Sequence, residues 1–194
     1  VAFASQGIAT GDLPRFLMNW WEILSVSDDW NFFQASVDTT QPFAGKLLAL
    51  RWENGKGVLA SSPQARIQGA NAWMKKGVAV RLMQHLPCCL YHGNFFDQSS
   101  APLVPYKEEY LPALWAFCSS KEFTSTIRAY DQALSVTEGT FRGIPFDLAH
   151  WQKVAAERYP NGLPKPYSDD PTQWIFHGHP KPATDPLQVA VARL

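Results

Sequence analysis

The residues with the most distinctive chemistry in this chain lie in one stretch. Between positions 46 and 81 stand seven bases, Lys46, Arg51, Lys56, Arg66, Lys75, Lys76 and Arg81, against one acid, Glu53, for a net charge of +6. Residues 1–45 carry −4 and residues 82–194 carry −2, so the formal net charge of zero is a sum of unequal parts. A one-sided cationic segment attracts an anionic partner. Gln64, Arg66, Gln68 and Asn71 are interleaved with it. Arginine pairs with guanine, and asparagine or glutamine with adenine, through two hydrogen bonds in the major groove. Lysine neutralises phosphates without reading sequence. The pattern therefore predicts a nucleic-acid interface, with a solvated charged face as the alternative. Lys46, Arg51, Lys56, Lys75, Lys76 and Arg81 are the expected phosphate contacts, and Gln64, Arg66, Gln68 and Asn71 the candidates for base readout.

Other chemistry is weaker. The chain has no G-x-x-x-x-G-K-[ST] loop, no G-x-G-x-x-G after a strand and no G-x-S-x-G elbow. His177 and His179 are two residues apart, and no C-x-x-C supplies partners, so the pair reads as a loop and no metal site is expected. Asp169 and Asp170 precede Pro171, the pattern of a helix cap. Cys88, Cys89 and Cys118 are an odd set without framework spacing, which suits a reducing compartment, the cytoplasm. Cys118, near Trp115 and Phe117, reads as a small buried hydrophobe. No catalytic residue is assigned within the chain.

These residues need elements to position them. Asp12-Leu13-Pro14 begins a helix over 12–26 with Phe16, Trp20 and Ile23 on one face, and 27–45 reads as turn-rich. Asn54-Gly55 between strand-like runs 46–53 and 56–61 predicts a two-residue hairpin that presents Lys46, Arg51 and Lys56. A polar linker, 62–76, leads to strands at 77–83, 88–92 and 101–104. Helices follow: one from Leu111-Pro112, one behind a capping box at Ser119 and Glu122, one capped by Asp147, and two starting at Asp170-Pro171 and Asp185-Pro186. Strands early and helices late argue α+β.

At 194 residues and 46% apolar, the chain can build a real core, which excludes global disorder. No apolar run spans a membrane and no signal-peptide pattern opens the chain, so no membrane partner is expected. The first residue is not Met and the last ten read as a helix, so a fragment of a longer protein is expected.

Several stretches resemble a known family. Gln6-Gly7-Ile8-Ala9-Thr10-Gly11-Asp12, then Arg15-Phe16 and Trp20-Trp21-Glu22, resembles the G-x-x-T-G-(D/N)-x-x-R-F…W-W-E motif. That motif opens the target-recognition region of large adenine-specific DNA methyltransferases of the TaqI-like, fused restriction–modification type. The group includes the BREX- and DISARM-like methylases of phage defence. Lys76-Gly77-Val78-Ala79-Val80 is similar to their K-G-(I/V) strand, the helix at 111–120 to their L-x-x-x-L-x-S segment, and Ile144-Pro145-Phe146 to a closing strand. Residues 151–174 are similar to a C-terminal extension of one subgroup.

The resemblance implies a strand-rich, mixed or antiparallel recognition domain, the TaqI-like specificity domain, over 1–146, with a helical C-terminal extension over 147–194. Gly7, Thr10, Gly11, Arg15 and Phe16 are its motif residues, and Asp12 is read as a helix cap. The N-P-P-Y motif and the S-adenosylmethionine-binding sheet are not in these residues, so they are expected upstream, in the catalytic domain of the same polypeptide. The chain alone is then no enzyme but a specificity module. A target adenine must leave the duplex to be methylated, and such a module grips the flanking double-stranded DNA. A second reading makes Trp20, Trp21, Trp30 and Trp52 a docking surface for another protein of the complex. A third, a free-standing nuclease, lacks an acid cluster beside a lysine.

Overall fold

The structure, a computed structural model, describes residues 1–20, 22–23 and 29–164. In chain order the elements are β1 (Ala2–Ala4), α1 (Leu13–Phe16), β2 (Leu17–Asn19), β3 (Trp30–Gln34), β4 (Leu48–Arg51), α2 (Val58–Ser61), β5 (Gly77–Arg81), β6 (Cys88–Tyr91), β7 (Phe95–Phe96) and β8 (Ser100–Pro105). Then come α3 (Leu111–Cys118), α4 (Lys121–Tyr130), α5 (Thr140–Gly143) and α6 (Leu148–Arg158). The fold is α+β, with strands first and helices after.

The strands form two sheets of four. The first has the order β1-β8-β5-β6 and is antiparallel throughout. The second has the order β2-β4-β3-β7, antiparallel except where β7 joins β3. Val78, Ala79 and Val80 of β5 are buried, as a central strand with both faces covered requires. One face of the first sheet carries the helices. Val78, Val80, Leu90 and Leu103 share a core with Leu114, Trp115 and Phe117 of α3, Phe123 and Ile127 of α4, and Trp151 and Ala155 of α6. The Phe117 ring lies 5.3 Å from Phe123, 5.3 Å from Phe146 and 5.1 Å from Trp151. The helix after the expected boundary at 146/147 therefore shares its core with the strands before it.

Local chemistry starts these helices. Ser120 Oγ accepts from Phe123 N at 3.2 Å, so the cap of α4 is Ser120 rather than the expected Ser119, whose hydroxyl instead donates to Trp115 O at 2.7 Å. Asp147 Oδ1 accepts from His150 N at 3.0 Å, as expected. Asp12 Oδ1 accepts from Arg15 N at 3.3 Å and caps α1.

Three sequence expectations fail. The hairpin at 46–61 is not formed. β4 pairs instead with β2 and β3, and the chain after Arg51 makes one tight turn, Glu53–Gly55, and the short α2. Asn54 takes the positive φ that its type predicts, +54°, but for a single turn. The turn brings Leu59 into a core with Ile8, Phe16, Phe33 and Leu50, which a strand pairing back on β4 would forgo. The helix from 12 stops at Phe16, because Leu17 to Asn19 pair with β4. Residues 144–146 form no strand; Ile144 and Phe146 pack side-on against the helical core. The expected caps at Asp170 and Asp185, the carboxylate pair Asp169/Asp170, the pair His177 and His179, and Trp21 lie outside the described residues. Among the described residues no helix is long and apolar enough to cross a membrane.

The N-terminal segment ties the sheets together. β1 pairs with β8 in the first sheet, and Ile8 N then donates to Phe96 O at 2.8 Å beside the second. Between them Gly7 is pressed against backbone: a Cβ there would lie 2.0 Å from Asp97 O and 2.6 Å from Phe96 O. Backbone at this position cannot yield cheaply. Gly7→Ala is expected to cost about 1–3 kcal/mol, read as a lower urea midpoint at unchanged slope.

Candidate nucleic-acid interface

The expected base-reading segment lies along the motif. Arg66 and Ala9 exchange both backbone hydrogen bonds, Ala9 N to Arg66 O at 3.0 Å and Arg66 N to Ala9 O at 2.8 Å. The bridge is antiparallel. Further along, Ser5 Oγ donates to Asn71 Oδ1 at 2.6 Å, and Lys75 Nζ sits 5.2 Å from the Phe3 ring centre. Gly11, at φ +73°, has Gln64 where a Cβ would go, at 2.8 Å. Residues 64–75 thus run back along residues 3–11, and the two stretches singled out for different reasons form one structural unit. Gln64, Arg66, Gln68 and Asn71 are exposed along it.

The motif residues divide by role. Gly7 and Gly11 serve packing and backbone geometry, and Thr10 and Phe16 are buried. Arg15 is exposed, its guanidinium 5.2 Å from the Phe16 ring centre. A cleft of about 830 Å³ opens beside the motif. Thr10 to Pro14 form one wall, Asp97 to Ser99 the other, and Phe33 and Leu48 contribute apolar surface. Asp97 accepts from Ser36 N at 3.1 Å and from Ser99 N at 2.8 Å, while burial pushes its carboxyl above the usual range. Two carboxylates, Asp12 and Asp97, and no cation line this cleft, so it repels phosphate. Asp97 carries no sequence signal; it meets the motif only through the fold.

The basic segment does not form a single cationic face. Lys46 is 1% exposed and donates to Asn94 Oδ1 at 2.6 Å, with the Phe43 ring 5.8 Å away. The expectation that it contacts phosphate is corrected: water does not reach it, and neither does a duplex. Three other bases hold acids from distant parts of the chain or nearby. Arg51 pairs with Glu53 at 3.1 Å, Lys76 with Glu108 at 2.5 Å and Arg81 with Asp38. Lys56, Arg66 and Lys75 are the exposed bases of the segment that form no ion pair among the described residues.

Three loops meet at one end of this surface. Trp52, Trp73 and Phe95 pack with ring centres 4.5–5.7 Å apart. That cluster fixes loops 52–57, 73–76 and 92–95 to one another. It also bears on the docking reading: Trp20 is fully buried, and Trp52 spends its ring on Trp73 and Phe95, so neither offers a free aromatic patch. No cluster of three or more metal-ligating side chains occurs among the described residues. Protein-family models give no match to this chain, and neither do curated proteins.

Lys46 makes a measurable signature of its burial. Loss of water around the ammonium lowers its pKa from an ordinary 10.5 to about 8. The fold therefore disfavours the charged form. The penalty is complete below about pH 8 and lifts as pH rises towards 10.5. Lys46→Met, which keeps the stem and removes the charge, is expected to be more stable than the parent at pH 7, by up to about 3 kcal/mol. That gap closes between pH 8 and 10.5, as parallel urea titrations of the two proteins would read. A gap independent of pH contradicts the assignment.

Proposed function

We propose that the chain is the DNA-recognition module of an adenine-specific DNA methyltransferase of the TaqI-like, restriction–modification type. The observation that carries the reading is the pairing of residues 64–71 with the motif at residues 6–12, with Gln64, Arg66, Gln68 and Asn71 exposed. The motif and the base-reading residue types lie more than 50 residues apart in sequence and meet at the Ala9–Arg66 bridge. Lys56 and Lys75 supply phosphate neutralisation, and the amides of Gln64, Gln68 and Asn71 with the Arg66 guanidinium supply base readout. The TaqI-like specificity fold belongs to this proposal, as do S-adenosylmethionine and an N-P-P-Y motif for the parent enzyme. So do a role in phage defence and a cytoplasmic location.

The role of this module is grip. Flipping an adenine costs a few kcal/mol of unstacking, and each paired base contact adds about 1–3 kcal/mol of discrimination. Neither step needs a catalytic group here, and the acid-lined cleft beside the motif stays clear of the backbone phosphates.

Fluorescence anisotropy with duplex DNA over a salt series tests this. Two exposed phosphate-facing lysines predict a log–log slope of about −2. Lys56→Glu and Lys75→Glu are each expected to weaken binding and flatten the slope by about 1, and Arg66→Glu to weaken binding and relax the sequence preference. Lys46→Met leaves the slope unchanged, because Lys46 is buried. Affinity indifferent to salt, or no binding at low salt, would sink the reading.

A further inference from the structure

The Met74 side chain takes no part in the core. It is 92% exposed, the largest exposure of any large apolar residue described. It also holds φ at +63°, in the left-handed region that glycine or asparagine enters far more easily. A chain that needed only a turn here would place one of those residues. Unbranched apolar side chains at such positions are unusual, and an observed outlier of this kind points towards use.

The tip that carries it is fixed. Met74 N donates to Gly93 O at 2.9 Å, and Lys75 N to Ala72 O at 3.2 Å. Trp73, its neighbour, is anchored against Trp52 at 5.7 Å and Phe95 at 4.5 Å. The methionine side chain therefore projects from a rigid base, not from a loose loop. Lys75 and Lys76 follow directly, and Lys76 holds Glu108 in an exposed ion pair that a phosphate can replace. Asn71 lies three residues before it, on the segment paired with the motif.

An exposed apolar tip next to lysines in the chain matches one use in DNA recognition: insertion between base pairs, while neighbouring cations hold the phosphates. We propose that Met74 is a wedge that enters the base stack of bound duplex DNA and opens a base step. This rests on the DNA-binding reading and adds a mechanical role to it. Unstacking next to the gripped site lowers the cost of any further distortion of that duplex, including extrusion of a base.

The test uses the whole chain and a duplex with 2-aminopurine at its pyrimidine–purine steps, which kink most easily. The fluorescence of 2-aminopurine rises when its neighbours unstack. The wild-type chain is expected to raise it severalfold at saturation, and Met74→Leu to keep most of the rise. Met74→Ala and Met74→Asn are expected to lose it while keeping the salt slope of binding. Both alter an exposed side chain, and asparagine suits the positive φ, so folding is retained and is checked by circular dichroism. Binding without a rise, or a rise that survives in Met74→Ala, overturns the wedge and leaves DNA recognition standing. No binding by the wild-type chain removes both.

Discussion

One close approach governs this structure: the backbone of residues 6–9 lies against the backbone of residues 96–97 with no room for a side chain at Gly7. Both strands of this contact cross between sheets. Residues 2–4 belong to the first sheet and Ile8 to the edge of the second, while β7 belongs to the second and β8 to the first. The two sheets are thus joined by paired backbone, not by a linker. Once that contact is made, the outer side of residues 5–9 is free to accept residues 66–71, and Arg66 and Asn71 take their places from it. The proposed interface is a consequence of how the sheets are joined.

The parts of the fold that were legible in the sequence are those whose signals are local. The alternation in residues 77–83, the apolar runs at 88–92 and 101–104, and the caps before α4 and α6 lead directly to observed elements, with ends that shift by one or two residues and the cap of α4 at Ser120. The illegible parts depend on distant partners. Residues 12–26 carry helical spacing, yet Leu17 meets Leu50 and becomes a strand. Residues 27–45 looked like turns, and Trp30–Gln34 is the strand that pairs β4 with β7. Asn54-Gly55 gave a correct statement about backbone dihedrals and a wrong one about pairing. The left-handed turn exists, but burial of Leu59 outweighs a second strand.

Charge shows the same limit in another form. Counting bases along residues 46–81 assumes that neighbours in sequence share a face. Glu108 lies 32 residues from Lys76, and Asp38 lies 43 residues from Arg81, and both neutralise what the count treated as free. Asn94 lies 48 residues from Lys46 and accepts from its ammonium below the surface. Burial of a lysine is costly enough that sequence reasoning rightly starts from exposure. Here the cost is lowered by the Asn94 bond and the Phe43 ring, and by the shift of the ammonium towards neutrality. The candidate site that survives is smaller than the sequence implied, and more sharply placed.

Where the backbone departs from ordinary geometry gives the last step. Glu53 and Asn54 at φ +50° and +54°, and Met74 at +63°, sit in two loops that Trp52, Trp73 and Phe95 pack together. Strained residues persist where surrounding packing over-determines them. Three mutually packed aromatic rings supply that packing at little cost in side-chain entropy, since each has two rotatable bonds. The same rings tie together the loops that carry Lys56 and Lys75. For the proposed duplex interface, such packing would meet the ordering cost of binding during folding.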